Sequence, residues 1–428
     1  MRSRTRLASM PGWVAGITRW PGALFVELVR RKKTLGAGHW LLLVAVLTCG
    51  ADAATQKPNA CTQRSGFTEQ DLAEAHPEGL APQVRLPADD PERFRTFLRD
   101  TPMASRAPWL ILSSGGENGA FAAGLLMGWS EAGTRPSFAV ITGVSTGALI
   151  APFAFIGAKG DATLEKLYTT TSAADVFEFG GTPDGLTDTW PLKRQIERTV
   201  TASLLNEVAA EHRAGRRLLV VTTELDSGRP ILWDMGAVAV HGGPAALTLF
   251  RAVLLASAAI PGVFPPVMIE ARGAGKACIQ EMHADGSITA PFYLAPAPTL
   301  LAEDSERLPA PAIYLVVNQR LRPEFQIAQR TVLDVLGRAL SAAIKAQVAS
   351  ALALTRAYTR RTGQTLQVAL LDGRFDPTSN ALFDADYMKA LFAHGRTIGR
   401  AGTAFEPIDH GAPATEPTNF SRLQPRSE

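Results

Sequence analysis

Short apolar runs alternate with longer stretches of helical spacing through the middle of the chain. The runs Leu110–Leu112, Phe138–Ile141, Leu218–Thr223, Pro230–Met235, Ile313–Val317 and Leu366–Leu371 read as strands. Between them, apolar positions three and four apart predict helices over Ala120–Ala132, with Gly133 as C-cap, and over Lys193–Arg213, Ala245–Ala258 and Thr331–Thr359. Strands alternating with helices imply an α/β domain whose mostly parallel sheet is covered on both faces. No internal repeat interrupts this pattern. Residues 54–107 are rich in Pro, Ala and charge with one short helix at Glu92–Leu98, and read as a linker or peripheral arm. Residues 108–402 form the domain proper, and the Pro-rich, polar stretch 403–428 reads as a flexible tail.

Residues 1–53 read as a targeting segment. Arg30-Arg31-Lys32-Lys33 precedes the apolar run Trp40–Leu47, and Ala51-Asp52-Ala53 supplies small residues at cleavage spacing. The run is shorter than the about 20 residues a membrane-spanning helix needs. Export to the periplasm, the exterior or the envelope is therefore expected, with a tether through residues 40–48 or a lipidated Cys49 as the alternative. The head also dominates the charge: it holds eight Lys/Arg against Glu27 and Asp52, so the net +3 leaves 35 basic and 38 acidic residues beyond it. With no basic body and no zinc-spaced Cys/His set, nucleic acid is not an expected partner. Past the head lie Cys61 and Cys278, which an oxidising compartment would permit to pair. Two cysteines make no disulfide framework, and they are read as unrelated thiols.

The candidate chemistry begins at Gly143-Val144-Ser145-Thr146-Gly147, between the run ending at Ile141 and the apolar stretch Ala148–Phe155. A serine on such a strand-to-helix turn is held clear of the sheet, and flanking glycines admit a backbone that a Cβ resists. The loop Gly115-Gly116-Glu117-Asn118-Gly119 ends the first strand and opens the first helix, where backbone N–H groups stabilise an anion. A phosphate cradle would need Lys-Ser/Thr where Ala120-Phe121 stand, or a glycine at Ser114. An oxyanion hole serving Ser145 fits the loop better. The serine also needs a base. His212, His241, His283 and His394 lie in no recognisable catalytic setting, whereas Asp285, in His283-Ala284-Asp285-Gly286-Ser287, sits on a tight turn that can bring a carboxylate to a hydroxyl.

These blocks resemble the patatin-like phospholipases over about residues 109–291, in that family's order. The loop is Gly115–Gly119, the elbow Gly143–Gly147, a segment of form A-S-x-x-x-P-x-x-F-P-P spans Ala256–Pro266, and the aspartate turn is Asp285-Gly286. The resemblance implies a three-layer α/β/α sandwich and a lipid acyl hydrolase of phospholipase A or lysophospholipase type, acting in lipid catabolism on phospholipid or other acyl-ester lipid at a membrane surface. It further implies Ser145 as nucleophile, Asp285 as base, an oxyanion hole from Gly115, Gly116, Glu117, Asn118 and Gly119, support from Gly143, Gly147 and Gly286, and no metal or cofactor. Glu117 and Asn118 depart from the family, which has a third consecutive glycine and a basic residue there, so a positive side chain for a lipid phosphate is missing. Ser287 stands where Gly or Ala is usual. The rival readings are a Ser-His-Asp α/β-hydrolase using His394 or His410, an acyl-carrier transacylase, and a non-catalytic membrane-associated lipid-binding protein.

Overall fold

The computed structural model describes residues 64, 66–100, 107–273, 278–322, 325, 327–371, 375, 377, 379 and 382–407. The leader 1–53, Cys49, Cys61 and His410 lie outside the described residues. Compactness divides the chain into 1–59 and 60–428, and every described residue belongs to the second unit.

The central strands, in chain order, are β1 (His76–Pro77), β2 (Arg85–Pro87), β3 (Trp109–Leu112) and β4 (Val140–Val144). A small hairpin, β5 (Glu178–Thr182) and β6 (Gly185–Asp188), stands apart from the main sheet. The sheet continues with β7 (Arg217–Glu224), β8 (Arg229–Asp234), β9 (Val267–Arg272), β10 (Cys278–Asp285), β11 (Ala312–Val317), β12 (Thr365–Leu370) and β13 (Glu406–Pro407). Five strands in the order β12-β11-β3-β4-β7 run parallel. Antiparallel strands extend both ends, β13 beside β12 and, beyond β7, β8 with β2 and β10 with β9 and β1.

β3, β4 and β7 are buried throughout and β11 and β12 in part, and alternate residues feed two cores. Leu110, Leu112, Ile141, Leu218 and Val220 face one; Trp109, Ile111, Val140, Leu219 and Val221 face the other. Helices Gly119–Glu131, Thr146–Phe155, Asp161–Thr170, Trp190–Thr199, Ala202–Arg213, Gly243–Ser257 and Ala385–Ala401 supply the first core, while Pro91–Asp100 and Val332–Thr362 supply the second. The result is the expected α/β/α sandwich. On the first face two helices touch backbone to backbone. A Cβ on Gly124 or Gly128 would lie 2.0 Å from the carbonyl oxygen of Phe392 or Arg396, and one on Gly395 or Gly399 would lie 2.3 or 2.4 Å from that of Phe121 or Leu125.

The structure differs from the sequence reading in several places. Lys193–Arg213 is two helices, broken at Val200–Thr201, where Thr201 Oγ1 accepts from Leu204 N–H and starts the second. Helices Asp161–Thr170 and Ala385–Ala401 and the strands β9 and β10 were not foreseen. The described part of 54–107 is packed against the domain: β2 pairs with β8, Phe94 is 2 % exposed, and the Tyr293 hydroxyl donates to Ala88 O at 2.9 Å. At the other end, residues 403–407, expected to be part of a tail, pack on the domain: β13 joins the sheet and Phe405 packs on Trp129, their ring centroids 4.8 Å apart. The reading of unrelated thiols is corrected too, because Cys278 is disulfide-bonded, with its partner outside the described residues. Among the described residues no helix is long and apolar enough to cross a membrane.

Candidate active site

β4 stops at Val144, and the next residue, Ser145, has φ 55° and ψ −124°, dihedrals that a residue with a Cβ adopts only when its surroundings impose them. The helix Thr146–Phe155 starts at once. Glycine is required on both sides: a Cβ on Gly147 would lie 2.4 Å from Leu112 O, and one on Gly143 would lie 2.4 Å from Gly147 O. The turn holds Ser145 Oγ where it donates to Asp285 Oδ2 at 2.6 Å.

The register of β7 explains this meeting. β4 runs parallel to β7 and ends with Val144 opposite Val221; β10 runs antiparallel and ends with Asp285 opposite Thr222. β8 pairs with Leu219 to Glu224 and so occupies the other edge. The ends of β4 and β10 therefore face each other head-on along one edge of β7. Gly286 completes the junction, since a Cβ there would lie 2.4 Å from Val221 O. Asp285 is held on every side: Oδ1 accepts from Ser287 N–H at 2.8 Å, its N–H donates to Ala259 O at 2.8 Å, and Thr223 Oγ1 donates to its carbonyl at 2.9 Å. Burial raises its carboxyl from 3.8 to about 6, against the opposing pull of the Ser145 and Ser287 hydrogen bonds.

The Ala256–Pro266 segment fastens both residues. Ser257 Oγ donates to Val221 O at 2.7 Å, which aims its lone pair at Ser145 N–H, accepted at 3.0 Å. Two residues on, Ala259 O takes the Asp285 N–H. Replacing Ser257 with Ala removes the acceptor that fixes the serine backbone, a loss of about 1 to 1.5 kcal/mol. Labelling of Ser145 by a fluorophosphonate is expected to slow by about tenfold in Ser257→Ala, with Ser257→Cys intermediate, followed by gel fluorescence.

The glycine-rich loop is pressed between the end of β11 and the elbow. A Cβ on Gly115 would lie 2.4 Å from Asn318 O, and one on Gly119 would lie 2.2 Å from Thr146 Oγ1. Gly116, at φ 57°, reaches the cavity that opens on Ser145. The side chains of Glu117 and Asn118 turn away from it. Glu117 Oε2 accepts from Phe383 and Asp384 N–H, and Asn118 Oδ1 accepts from the Tyr387 hydroxyl at 2.7 Å.

The cavity is narrow, about 80 Å³, and its wall is largely apolar, with Leu149, Phe153, Ile196, Leu254, Ile260 and Phe264 among its residues. Sequence reasoning passed over Tyr168, whose hydroxyl shares a 2.6 Å hydrogen bond with Thr146 Oγ1 in this wall. Burial pushes that phenol well up, so it stays protonated. Two of the candidate histidines, His394 and His283, are engaged elsewhere. His394 stacks on Phe121 and lies tilted against Phe375, and the ring nitrogens of His283 lie 3.0 Å from Thr222 Oγ1 and 3.1 Å from Glu281 Oε2. Among the described residues no group of three or more His, Cys, Asp or Glu is placed to hold a metal ion.

The α/β/α sandwich thus presents a serine on a strained strand-to-helix turn, hydrogen-bonded to a buried aspartate beside an apolar cavity. Residues 110–298 match the family model of the patatin-like phospholipases. No curated protein matches the chain closely enough to count as a relative. Among solved structures, VipD from Legionella pneumophila is similar over 80 % of this chain and 72 % of its own, at 12 % identity and a TM-score of 0.34.

Proposed function

We propose that this chain hydrolyses fatty acyl esters of lipids, in the manner of a phospholipase A or lysophospholipase, with Ser145 as nucleophile and Asp285 as base. The observation that carries the reading is the 2.6 Å hydrogen bond from Ser145 Oγ to Asp285 Oδ2 at the wall of an apolar cavity. Asp285 takes the hydroxyl proton as Oγ attacks the ester carbonyl, and the negative oxygen is stabilised by backbone N–H groups of the Gly115–Gly119 loop, Gly116 foremost. The leaving alcohol or lysolipid recovers the proton from Asp285. Water, deprotonated by the same carboxylate, then frees the fatty acid from Ser145. Export, and contact with a membrane surface, belong to the same reading; the leader's composition and the apolar cavity support them.

The test is release of fatty acid from p-nitrophenyl esters and phospholipid vesicles by the chain from Ala54 onward. Because the base must be ionised, kcat/KM is expected to rise with pH through an apparent pKa of about 6, and Ser145→Ala is expected to be inactive throughout. A chain that cleaves neither substrate while remaining folded would leave the lipid-binding reading in its place.

A further inference from the structure

Phe383 holds a backbone conformation that its residue type resists, and it does so at the substrate cavity. Its φ is 55°, a left-handed value that a bulky L-residue resists. Its ring stands in the cavity wall and lies 6.3 Å from Phe177, which in turn packs on Phe264 at 5.9 Å. Such strain persists only when neighbours over-determine it. The neighbour here is Glu117: Oε2 accepts the N–H groups of both Phe383 and Asp384, and the carboxylate also takes a hydrogen bond from Ser379. Asn118 adds a second tie, through Tyr387, to the helix Ala385–Ala401 that begins two residues later and brings Met388 to the same wall.

We propose that Glu117 and Phe383 form a selectivity element: the Glu117 side chain clamps the Phe383 turn, and the Phe383 ring limits the length of acyl chain the cavity accepts. The proposal rests on the acyl-hydrolase reading. Phe383 is the residue that touches the acyl chain, and Glu117 is a positioning residue acting through it.

The experiment compares kcat/KM on p-nitrophenyl butyrate and decanoate for the wild type, Phe383→Ala, Phe383→Leu, Glu117→Ala and Glu117→Gln. Removing the ring is expected to raise the decanoate-to-butyrate ratio by at least about tenfold, with Phe383→Leu in between. Glu117→Ala shifts the ratio the same way, whereas Glu117→Gln keeps an acceptor oxygen and the wild-type ratio. A parallel titration of butyric, decanoic and palmitic acids into Ser145→Ala, with and without Phe383→Ala, reads the same preference without chemistry. If the wild type cleaves no ester but the Phe383 change still shifts this binding toward long chains, the hydrolase reading fails and the selectivity element stands. Unchanged length preference in both assays, with the variants folded, overturns it.

Discussion

Asp285→Asn is expected to lower kcat by about 10,000-fold while the protein stays folded and becomes more resistant to heat at alkaline pH. The loss follows from chemistry: an amide cannot take the Ser145 proton, although its oxygen can still accept from Ser287 N–H and its NH2 can still meet Ser145 Oγ. The gain in stability follows from burial. The carboxyl sits at about 6 in the fold against 3.8 for the free group. The stability contributed by its protonated form is therefore complete below pH about 4 and is lost as pH rises through about 6. Asn has no charge to bury and escapes that loss. The difference in Tm between variant and wild type should be small at pH 4 and widen toward pH 8, measured by differential scanning fluorimetry beside ester hydrolysis. His394→Ala serves as the contrast, with activity retained. An active Asp285→Asn with an inactive His394→Ala would return the site to a histidine triad.

Gly128→Ala is expected to destabilise the domain by about 3–5 kcal/mol, a drop in Tm of roughly 10 °C. The added methyl would start 2.0 Å from the Arg396 carbonyl and 2.8 Å from Arg400 N, both backbone atoms that cannot swing aside. The helices Gly119–Glu131 and Ala385–Ala401 must separate, uncovering Leu391 and Phe392, which are 0 % and 3 % exposed. Gly337→Ala isolates the cause. Gly337 also lies inside a helix, but nothing stands within 4 Å of its missing Cβ, so the same change there should stabilise by about 0.5–1 kcal/mol. Thermal unfolding of the two variants side by side decides it; equal effects would mean that helix propensity, not close approach, governs both sites.

Much of the fold was legible because β3, β4 and β7, buried on both faces, and the partly buried β11 and β12 read as short apolar runs. β10 was not, for a physical reason. Its inward residues include Glu281 and His283, both 0 % exposed, and polar side chains survive there only because partners distant in sequence reach them. Arg85 pairs with Glu281 from 196 residues away, and Thr222 meets His283. No local window contains those partners, so the strand that delivers Asp285 gives no local signal beyond its Asp-Gly turn. The elbow was visible because its requirements are local: two glycines, a serine and apolar flanks. The roles of Ser257, Tyr168 and Phe383 were hidden for the same reason as β10, each being defined by a contact made across the fold.

The head-on meeting of β4 and β10 along β7 also orders events in time. Ser145 and Asp285 lie 140 residues apart in the chain, and the contact that joins them is among the non-local pairings that form slowly because a long loop must close first. A chain emerging from the ribosome exposes its serine well before its aspartate exists, and on the proposed mechanism the hydroxyl has no base until β10 docks. Partly made copies are then expected to be inert toward acyl esters, competence arriving with the pairing of β10 to β7.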